Sequence, residues 1–194
     1  MKCTDNVKQA ITMRRTVRSF TSQTVEREQL EQVVEAARYA PSGMNCQSYL
    51  FLVLTGESLE FLRVAVRDYF RQMEITEDMP PFFSVCKKNA EDDNWSFFYH
   101  APALILVANR RDYRNAMADC AAATMNGMIM AKAMGLASGW ITTISGNTRQ
   151  PAIRAALTVL GVPEDYDVFT SMTVGYAAEV PECAPRTSQV IWKN

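Results

Sequence analysis

The sequence predicts a single domain that combines α-helices with β-strands. Its 194 residues match the length of one ordinary domain, and 48% hydrophobic against 21% charged residues is typical of a globular protein with a core. Segments with a helical apolar period also alternate with short continuous apolar runs, which are typical of buried strands. Together these observations predict a mixed domain in which helices and strands alternate along the chain.

Each element of the first half is predicted from the spacing of its apolar residues. In "VEREQLEQVVEAARYA", Leu30, Val33, Val34 and Ala37 fall on one face and the charges lie opposite, which is typical of an amphipathic helix. The run "YLFLVL" predicts a buried strand, and Pro41 and Gly43 mark the break before it. The predicted elements are a helix ending near Arg14, a helix over 25–40, a strand over 49–54 and a helix over 57–73.

The second half begins with a polar segment and continues with alternating strands and helices. Residues 73–95 contain paired prolines, two lysines and the acidic run "EDD", so we expect a mobile loop, a lid or an interface segment there. The segment 116–134 is apolar nearly all round, which predicts a central, buried helix. The predicted elements are a strand over 103–109, the helix over 116–134, a strand or strand-loop over 138–145, a helix to about Leu160 and a strand over 167–176.

The charge balance and the cysteine spacing argue against several function classes. Twenty basic and twenty-one acidic residues produce no overall field that would attract nucleic acid or an anionic membrane. The apolar stretch "CAAATMNGMIMA" is shorter than the roughly 20 residues of a membrane span, and the polar start "MKCTDNVKQA" does not resemble a signal peptide. The five cysteines are odd in number and far apart, which predicts reduced thiols in a cytoplasm rather than a disulfide frame.

Several common catalytic motifs are missing from the sequence. His100 is the only histidine, so a zinc or iron site built on several histidines is excluded, and no metal site is predicted. The sequence contains neither a G-x-S-x-G elbow nor a glycine-rich phosphate loop of the G-x-G-x-x-G or G-x-x-x-x-G-K type. Any phosphate bound by this chain must therefore be held by arginines.

The stretch "TMRRTVRSF" carries three arginines, Arg14, Arg15 and Arg18, within five positions. Charges this close repel one another unless water screens them or an anion lies among them. One interpretation is a solvated helix end, since arginine in the last turn complements the helix macrodipole. The other is an anion site, and composition alone leaves both interpretations open.

Five segments, taken in order, resemble the FMN-dependent nitroreductase family. "RRTVRSF" is similar to its R-R-S/T-x-R-x-F signature, and "AARYAPSGMNCQSY" to its A-P-S-x-x-N-x-Q-P-W block, with "QSY" in place of Q-P-W. "YHAPALILV", "DCAAATMNGMIMAKAMGLASGWI" and "TVGYAAEVPECAPR" resemble the family's A-P strand, its central helix with the following G-L-G-x-x-W-I, and its terminal G-Y-P and P-R segment. The resemblance covers nearly the whole chain except residues 70–96.

The resemblance implies an α+β fold, built as a three-layer α/β/α sandwich around a mixed, mostly antiparallel sheet. Residues 1–194 would form one domain, in which 70–96 is a lid or variable insert. Members of the family are homodimers with two FMN sites at the subunit interface. The tail 177–194, with its apolar "VIW", would wrap the partner subunit.

The family also implies an activity. Its enzymes take hydride from NAD(P)H onto flavin N5 and pass electrons to nitroaromatics, quinones or related small acceptors by ping-pong turnover. No obligatory side-chain acid or base is needed, because the flavin carries the electrons, so we name no catalytic residue. The alternatives are reductive dehalogenation or flavin fragmentation on the same fold, and a non-catalytic protein that stores or senses FMN.

The resemblance assigns the arginines and their neighbours to the cofactor. Arg14 would hold the ribityl phosphate, and Arg186 would close on it from the tail. Arg15 would lie toward the pyrimidine side of the ring, where a cation stabilises the charge of reduced flavin. Thr16 would supply a hydroxyl, and Arg18 would either join the cofactor site or pair with an acidic residue.

Two further segments are expected at the flavin ring. Thr142 and Thr143 fall where family members offer donors near N5, although threonine is also simply a good strand former. The loop after the second helix would reach the flavin of the neighbouring subunit, although Pro41 and Gly43 also serve to end that helix. The loop residues assigned to the cofactor are Pro41, Ser42, Gly43, Asn45 and Gln47.

Overall fold

The computed structural model describes residues 3–193, with side chains described from residue 6 onward. Within this range the chain forms helices and strands in nearly the order that the sequence predicts. The elements are α1 (Cys3–Met13), α2 (Arg27–Arg38), β1 (Leu50–Thr55), α3 (Gly56–Gln72), α4 (Pro81–Ala90), β2 (Ala103–Arg110), α5 (Ala116–Ala133), β3 (Ala137–Ile141), α6 (Pro151–Val159) and β4 (Tyr166–Gly175).

The four strands form one sheet in the order β1-β2-β4-β3, and all three strand pairs are antiparallel. A parallel component comes from the arginine-rich segment, because Thr16 forms a parallel bridge with Ser138 at the outer edge of β3. The Val17 N–H group donates to the Ser138 carbonyl at 3.0 Å. The predicted mixed, mostly antiparallel sheet is therefore confirmed.

Helices cover both faces of the sheet, which confirms the three-layer α/β/α architecture. On one face, α3, α4 and α6 pack on the sheet through a core that includes Leu62, Phe70 and Leu157. On the other face, α2 and α5 pack through Val33 and Met128, among others. Helix α5 is buried along much of its length, as its apolar sequence predicts.

The strand predicted over 138–145 is shorter than expected. Strand β3 ends at Ile141 because the chain turns immediately afterwards. The carbonyl of Thr142 accepts hydrogen bonds from the Ser145 hydroxyl at 2.9 Å and from the Gly146 N–H at 3.2 Å, which closes the turn. Thr142 and Thr143 thus lie on a strand-to-turn junction and not within a strand.

The segment 70–96 contains more regular structure than its polar composition indicates. Helix α3 runs to Gln72, and α4 occupies the middle of the segment, with Cys86 and Ala90 buried in the same core as Phe70. Phe70 also meets the Trp95 ring edge-to-face at 5.9 Å. Residues 81–95 are therefore packed against α3, and the role of the segment as a lid remains a prediction.

Arg63 on α3 anchors the loop that follows α4. Its side chain is only 10% exposed, pairs with Glu60 at 2.7 Å and donates to the carbonyls of Asp93 and Trp95, both at 2.8 Å. We expect Arg63→Met to lower the free energy of unfolding by about 1–3 kcal/mol, because the Trp95 carbonyl loses its charged donor and the Asp93 carbonyl keeps only Arg67. Urea denaturation measures this change. The matched control is Arg27→Met, which removes one ion pair on an 88% exposed side chain, and an equal loss in both variants would contradict the prediction.

The four cysteines with described side chains are free thiols, and two of them are buried. Burial raises the pKa of Cys86 to about 11 and that of Cys120 to about 12, so both thiols stay protonated at neutral pH. We expect iodoacetamide to leave Cys86 and Cys120 unmodified in the folded protein and to modify both in urea. Peptide mass mapping after alkylation checks each site, and rapid labelling of either thiol in the native state would contradict the prediction.

None of the helices within residues 3–193 combines the length and apolarity needed to cross a membrane.

Candidate flavin site

The arginines that follow α1 gather without an acidic partner. Arg14 is half-buried, and its Nε atom is fully buried and has no hydrogen-bond partner. Burial first, and then the charges of Arg15 and Arg186, lower the pKa of the Arg14 guanidinium. Among the described residues, no carboxylate forms an ion pair with any of these three arginines. Three neighbouring cations and an unpaired buried donor are the donor set expected of a site for a multiply charged anion.

The start of the tail lies beside the N-terminal arginines, because Ala177 and Val180 line one cavity with Arg14 and Arg15. The charge of Arg186 contributes to the lowered pKa of Arg14, although 171 residues lie between them in the sequence. A fully solvated helix end would leave no arginine nitrogen buried, whereas the Arg14 Nε atom is buried. The assignment of Arg14 and Arg186 to a phosphate stays a prediction.

A small cavity of about 70 Å³ opens beside Arg14, between the end of α1 and the start of β3. Two polar residues that the sequence analysis did not single out also line it, Lys132 and Ser138. Lys132 adds a fourth cation from the last turn of α5, and it is the only lysine or arginine in that helix. That isolated charge in an apolar helix is the signal that would have identified it.

Thr16 and Arg18 lie on either side of a close contact with β3. Thr16 is half-buried and bridges to Ser138, and a Cβ atom added to Gly139 would meet the Val17 carbonyl oxygen at 2.7 Å. Glycine at this position lets the arginine-rich segment lie directly against the strand. Arg18 is exposed and lies over the ring of Tyr99, 5.8 Å from its centroid, so its partner is aromatic and not acidic.

The loop between α2 and β1 has an unusual backbone. Three residues other than glycine have left-handed φ angles, namely Met44 (53°), Asn45 (54°) and Gln47 (48°). Each such conformation costs of the order of 1–3 kcal/mol unless its surroundings hold it in place. Inside the loop, Ser42 Oγ accepts from the Gln47 N–H at 3.0 Å, and Gln47 Nε2 donates to Asn45 Oδ1 at 2.9 Å. Met44 is 98% exposed, so the strained loop projects from the molecule, and Pro41 beside it is also exposed.

Gly43 connects this loop to α5. Its N–H donates to the Asp119 carboxylate, at 3.1 Å to one oxygen and 3.3 Å to the other. A Cβ atom at position 43 would lie 2.6 Å from the Tyr113 hydroxyl oxygen and would clash with Asn115. Gly43 therefore does more than end a helix, because a larger residue there would require the Tyr113 and Asn115 side chains to move.

Thr142 and Thr143 sit at the far end of β3 from the arginines. Thr142 is exposed and Thr143 is 7% exposed. The Thr143 carbonyl accepts from Asn147 Nδ2 at 2.9 Å, and Asn147 Oδ1 in turn accepts from the Tyr69 hydroxyl at 3.3 Å. Among the described residues, no group accepts a hydrogen bond from the Thr143 N–H.

Comparisons with known proteins identify the family of this chain. The family model described as "Nitroreductase family" matches residues 11–176. The chain belongs to the nitroreductase family. A nitroreductase from Bacteroides fragilis, solved with bound FMN, superimposes with a TM-score of 0.82 at 30% identity, with 94% of each chain covered.

Two further relatives are similar in sequence. A protein of Archaeoglobus fulgidus with the provisional name NADH dehydrogenase/NAD(P)H nitroreductase is 26% identical, over 84% of this chain and 80% of its own length. A nitrobenzene nitroreductase of Ectopseudomonas oleovorans is also 26% identical, over 84% of this chain and 83% of its own length. Membership of the nitroreductase family makes this chain a flavin-dependent oxidoreductase of the nitroreductase type.

The nitroreductase fold places the predicted site residues in two separate groups. Arg14, Arg15 and Arg186 lie beside the start of β3, and Thr142 and Thr143 follow its end, about 17 Å away by strand rise. The two groups are therefore separated along a single strand, and their assignment to one ligand stays a prediction.

The loop with Ser42 and Asn45 lies away from that strand in the same chain. It is joined to Asp119, whereas Lys132 beside the arginines is about 20 Å further along α5. The loop also leads into β1, which lies at the opposite edge of the sheet from β3. The structure thus brings the arginines together with Thr16 but does not bring the loop to them.

Proposed function

We propose that this chain binds FMN and uses it to move electrons from NAD(P)H to nitroaromatic, quinone or similar acceptors. The observation that carries the proposal is the group of Arg14, Arg15 and Arg186, in which a buried Arg14 Nε has no partner. The family membership and the FMN-bound Bacteroides fragilis relative support the choice of this anion. Bound FMN supplies two-electron chemistry at its ring, with hydride accepted from the nucleotide and electrons then passed to the acceptor in a ping-pong cycle.

The residues beside the start of β3 fit the phosphate of FMN. Guanidinium groups match phosphate oxygens in bidentate geometry, and a phosphate among Arg14, Arg15 and Arg186 relieves their mutual repulsion. Lys132, which lines the same cavity, adds a point charge. In this arrangement Arg14 and Arg186 bind the phosphate, and Thr16 offers its hydroxyl to the ribityl chain.

The chain also fits the ring at the other end of β3. The free N–H of Thr143 is a donor that can orient the ring edge that accepts hydride. Asn147 holds the Thr143 carbonyl, and so fixes the direction in which that peptide points. The assignment of Arg15 to the pyrimidine side of the ring rests on the family resemblance alone, because its side chain donates to the carbonyls of Thr12 and Arg14 at the other end of β3.

We further propose that two copies of the chain complete each site. The strained loop with Ser42 and Asn45 leads into β1, at the opposite edge of the sheet from β3 and the neighbouring Thr143, so in this proposal the ring meets the loop of a second copy. The tail supports the same assembly, since Val190, Ile191 and Trp192 are 70%, 80% and 87% exposed. Apolar side chains this exposed are expected to be covered by a partner.

The free thiols of the described cysteines support a reducing compartment such as the cytoplasm. The nicotinamide donor is proposed from the provisional name of the Archaeoglobus fulgidus relative, and the acceptor class from the name of the nitrobenzene nitroreductase.

The proposal is tested by the absorbance spectrum of the purified protein, followed by anaerobic addition of NADH and then NADPH. We expect flavin peaks that bleach with one or both nucleotides and recover when a nitroaromatic or a quinone is added. Flavin that stays oxidised with both nucleotides would overturn the reductase and favour a storage role. A colourless protein that FMN cannot load would overturn the flavin site itself.

A further inference from the structure

The carboxylate of Asp119 is buried without a cation. Its residue is 6% exposed, in the first turn of α5, and among the described residues no arginine or lysine forms an ion pair with it. A buried carboxylate is unfavourable unless hydrogen bonds replace its hydration. The positive end of the α5 macrodipole offsets part of this cost, and the remaining stabilisation comes from the groups that donate to it.

Those donors come from the loop before β1 and from Tyr113. The Gly43 N–H reaches both carboxylate oxygens, at 3.1 and 3.3 Å. The Tyr113 hydroxyl lies 3.0 Å from Asp119 Oδ2 and 3.1 Å from the Gly43 carbonyl oxygen, so its single proton is within reach of either acceptor. Burial first, and then the bond to Asp119, raise the pKa of Tyr113. The Gly43 N–H therefore binds the carboxylate directly, and Tyr113 is a second neutral donor beside the same peptide.

The loop held by this contact is the strained loop described above. Met44, Asn45 and Gln47 keep left-handed backbone angles, and an exposed loop relaxes from such angles unless its ends are fixed. The contact between Gly43 and Asp119 joins the middle of the loop to the rigid central helix, and Ala40 just before the loop packs in one cluster with Cys120 and Ala123 of the same helix. The Ser42–Gln47 hydrogen bond orders the interior of the loop but does not attach it to the rest of the molecule.

We infer that Asp119, together with Tyr113, is a positioning residue for the flavin ring. It holds the loop of residues 41–47 in the strained conformation that presents Ser42 and Asn45 to the ring bound in a second copy of the chain. This inference rests on the proposed function for its ligand, whereas the connection between the loop and α5 stands on the described contacts alone. Asp119 itself touches no part of the ligand in this scheme.

The first test examines the loop in the protein without flavin. Hydrogen–deuterium exchange of a peptide covering 41–47 is compared between the native chain and Asp119→Ala, and we expect exchange at least about tenfold faster in the variant. Asp119→Asn keeps one carbonyl acceptor for the Gly43 N–H, so its exchange rate is expected to lie between the two. The matched control is Asp167→Asn, because Asp167 is another buried carboxylate that binds Arg111 and Arg149 and does not touch the loop. Equal exchange in Asp119→Ala and the native chain would overturn the inference.

The second test measures the affinity for FMN and for riboflavin. Because the loop faces the ring, we expect Asp119→Ala to weaken both ligands by the same factor, about tenfold. Tyr113→Phe removes only the hydroxyl and serves as the second variant if Asp119→Ala does not fold. We expect it to weaken FMN and riboflavin by one common factor, smaller than that for Asp119→Ala. If the native chain binds FMN and Asp119→Ala binds both ligands with the same affinities as the native chain, the positioning role is overturned. Failure of the native chain to bind FMN would instead overturn the proposed function and leave the exchange result to stand.

Discussion

Replacing Arg14 with glutamine is expected to weaken FMN binding by roughly 10- to 100-fold and to leave riboflavin binding nearly unchanged. The two ligands share the ring and the ribityl chain and differ in the phosphate, so their ratio isolates the contribution of the charged end. Arg14 is the arginine with a buried, unpartnered Nε, and its neighbours Arg15 and Arg186 are also cationic. Arg14→Gln removes a positive charge and the buried Nε donor that has no partner in the single chain.

Titration of flavin fluorescence at several salt concentrations measures this effect. The matched control is Arg110→Gln, because Arg110 is an arginine with a 55% exposed side chain that pairs with Asp112 away from the cavity. We expect the control to bind both flavins as the native chain does. Equal weakening of FMN and riboflavin by Arg14→Gln would contradict the assignment, since it would place Arg14 at the ring or show only a general loss of structure.

The same ratio separates the two ends of the proposed site. Variants at Arg14 and Arg186 are expected to change the FMN-to-riboflavin ratio, whereas variants at Asp119 are expected to change both affinities together. Lys132 belongs with the arginines on geometric grounds, because it lines the cavity beside Arg14. A ligand that spans β3 therefore has a chemically distinguishable residue group at each end.

Much of the fold follows from local patterns in the sequence. Helix α2 buries Leu30, Val33 and Ala37, the face that its apolar spacing predicts. Strand β1 runs from Leu50 to Thr55, within one residue of its apolar run. These elements are predictable because each buries one face, so its apolar residues recur with the period of the helix or strand.

Other features depend on contacts that no local pattern encodes. The proximity of Arg186 to Arg14 connects opposite ends of the chain, and the resemblance to the family was its only indication in the sequence. The polar composition of residues 81–95 did not indicate the packed helix α4. The loop that follows α4 is held by Arg63 of α3, which donates to two of its carbonyls. The early end of β3 at Ile141 results from a turn among residues that are themselves good strand formers.

The candidate site also combines features that the sequence indicates with features that appear only in the folded chain. The arginine stretch was identifiable because like charges close together require an explanation. The strained backbone of the loop at 41–47 was not, because Met44 and Gln47 are not residues that favour left-handed angles. Asp119 lies 76 positions from Gly43 in the sequence, so their hydrogen bond appears only in the folded chain.

Deleting residues 188–194 is expected to raise the dissociation constant of a homodimer by at least about a hundredfold. The deleted segment contains Val190, Ile191 and Trp192, all more than two-thirds exposed in the single chain. Burial of each large apolar side chain contributes about 1.5–3 kcal/mol, so covering three of them on a partner stabilises the assembly substantially. The deletion leaves Arg186 in place, and so does not remove the proposed phosphate ligand.

Sedimentation velocity over a range of protein concentrations measures the association, and a flavin titration of the same samples measures the site. The matched control is Val159→Ser, because Val159 is an apolar residue on α6 that is 74% exposed and lies outside the tail. If each ring site needs a loop from a second copy, the truncated chain loses FMN and riboflavin affinity together at concentrations where it is monomeric. It should regain both affinities as concentration drives association. A truncated chain that dimerises as the native chain does would contradict the exchange of tails, and a monomer that binds flavin with native affinity would show that one chain forms the whole site.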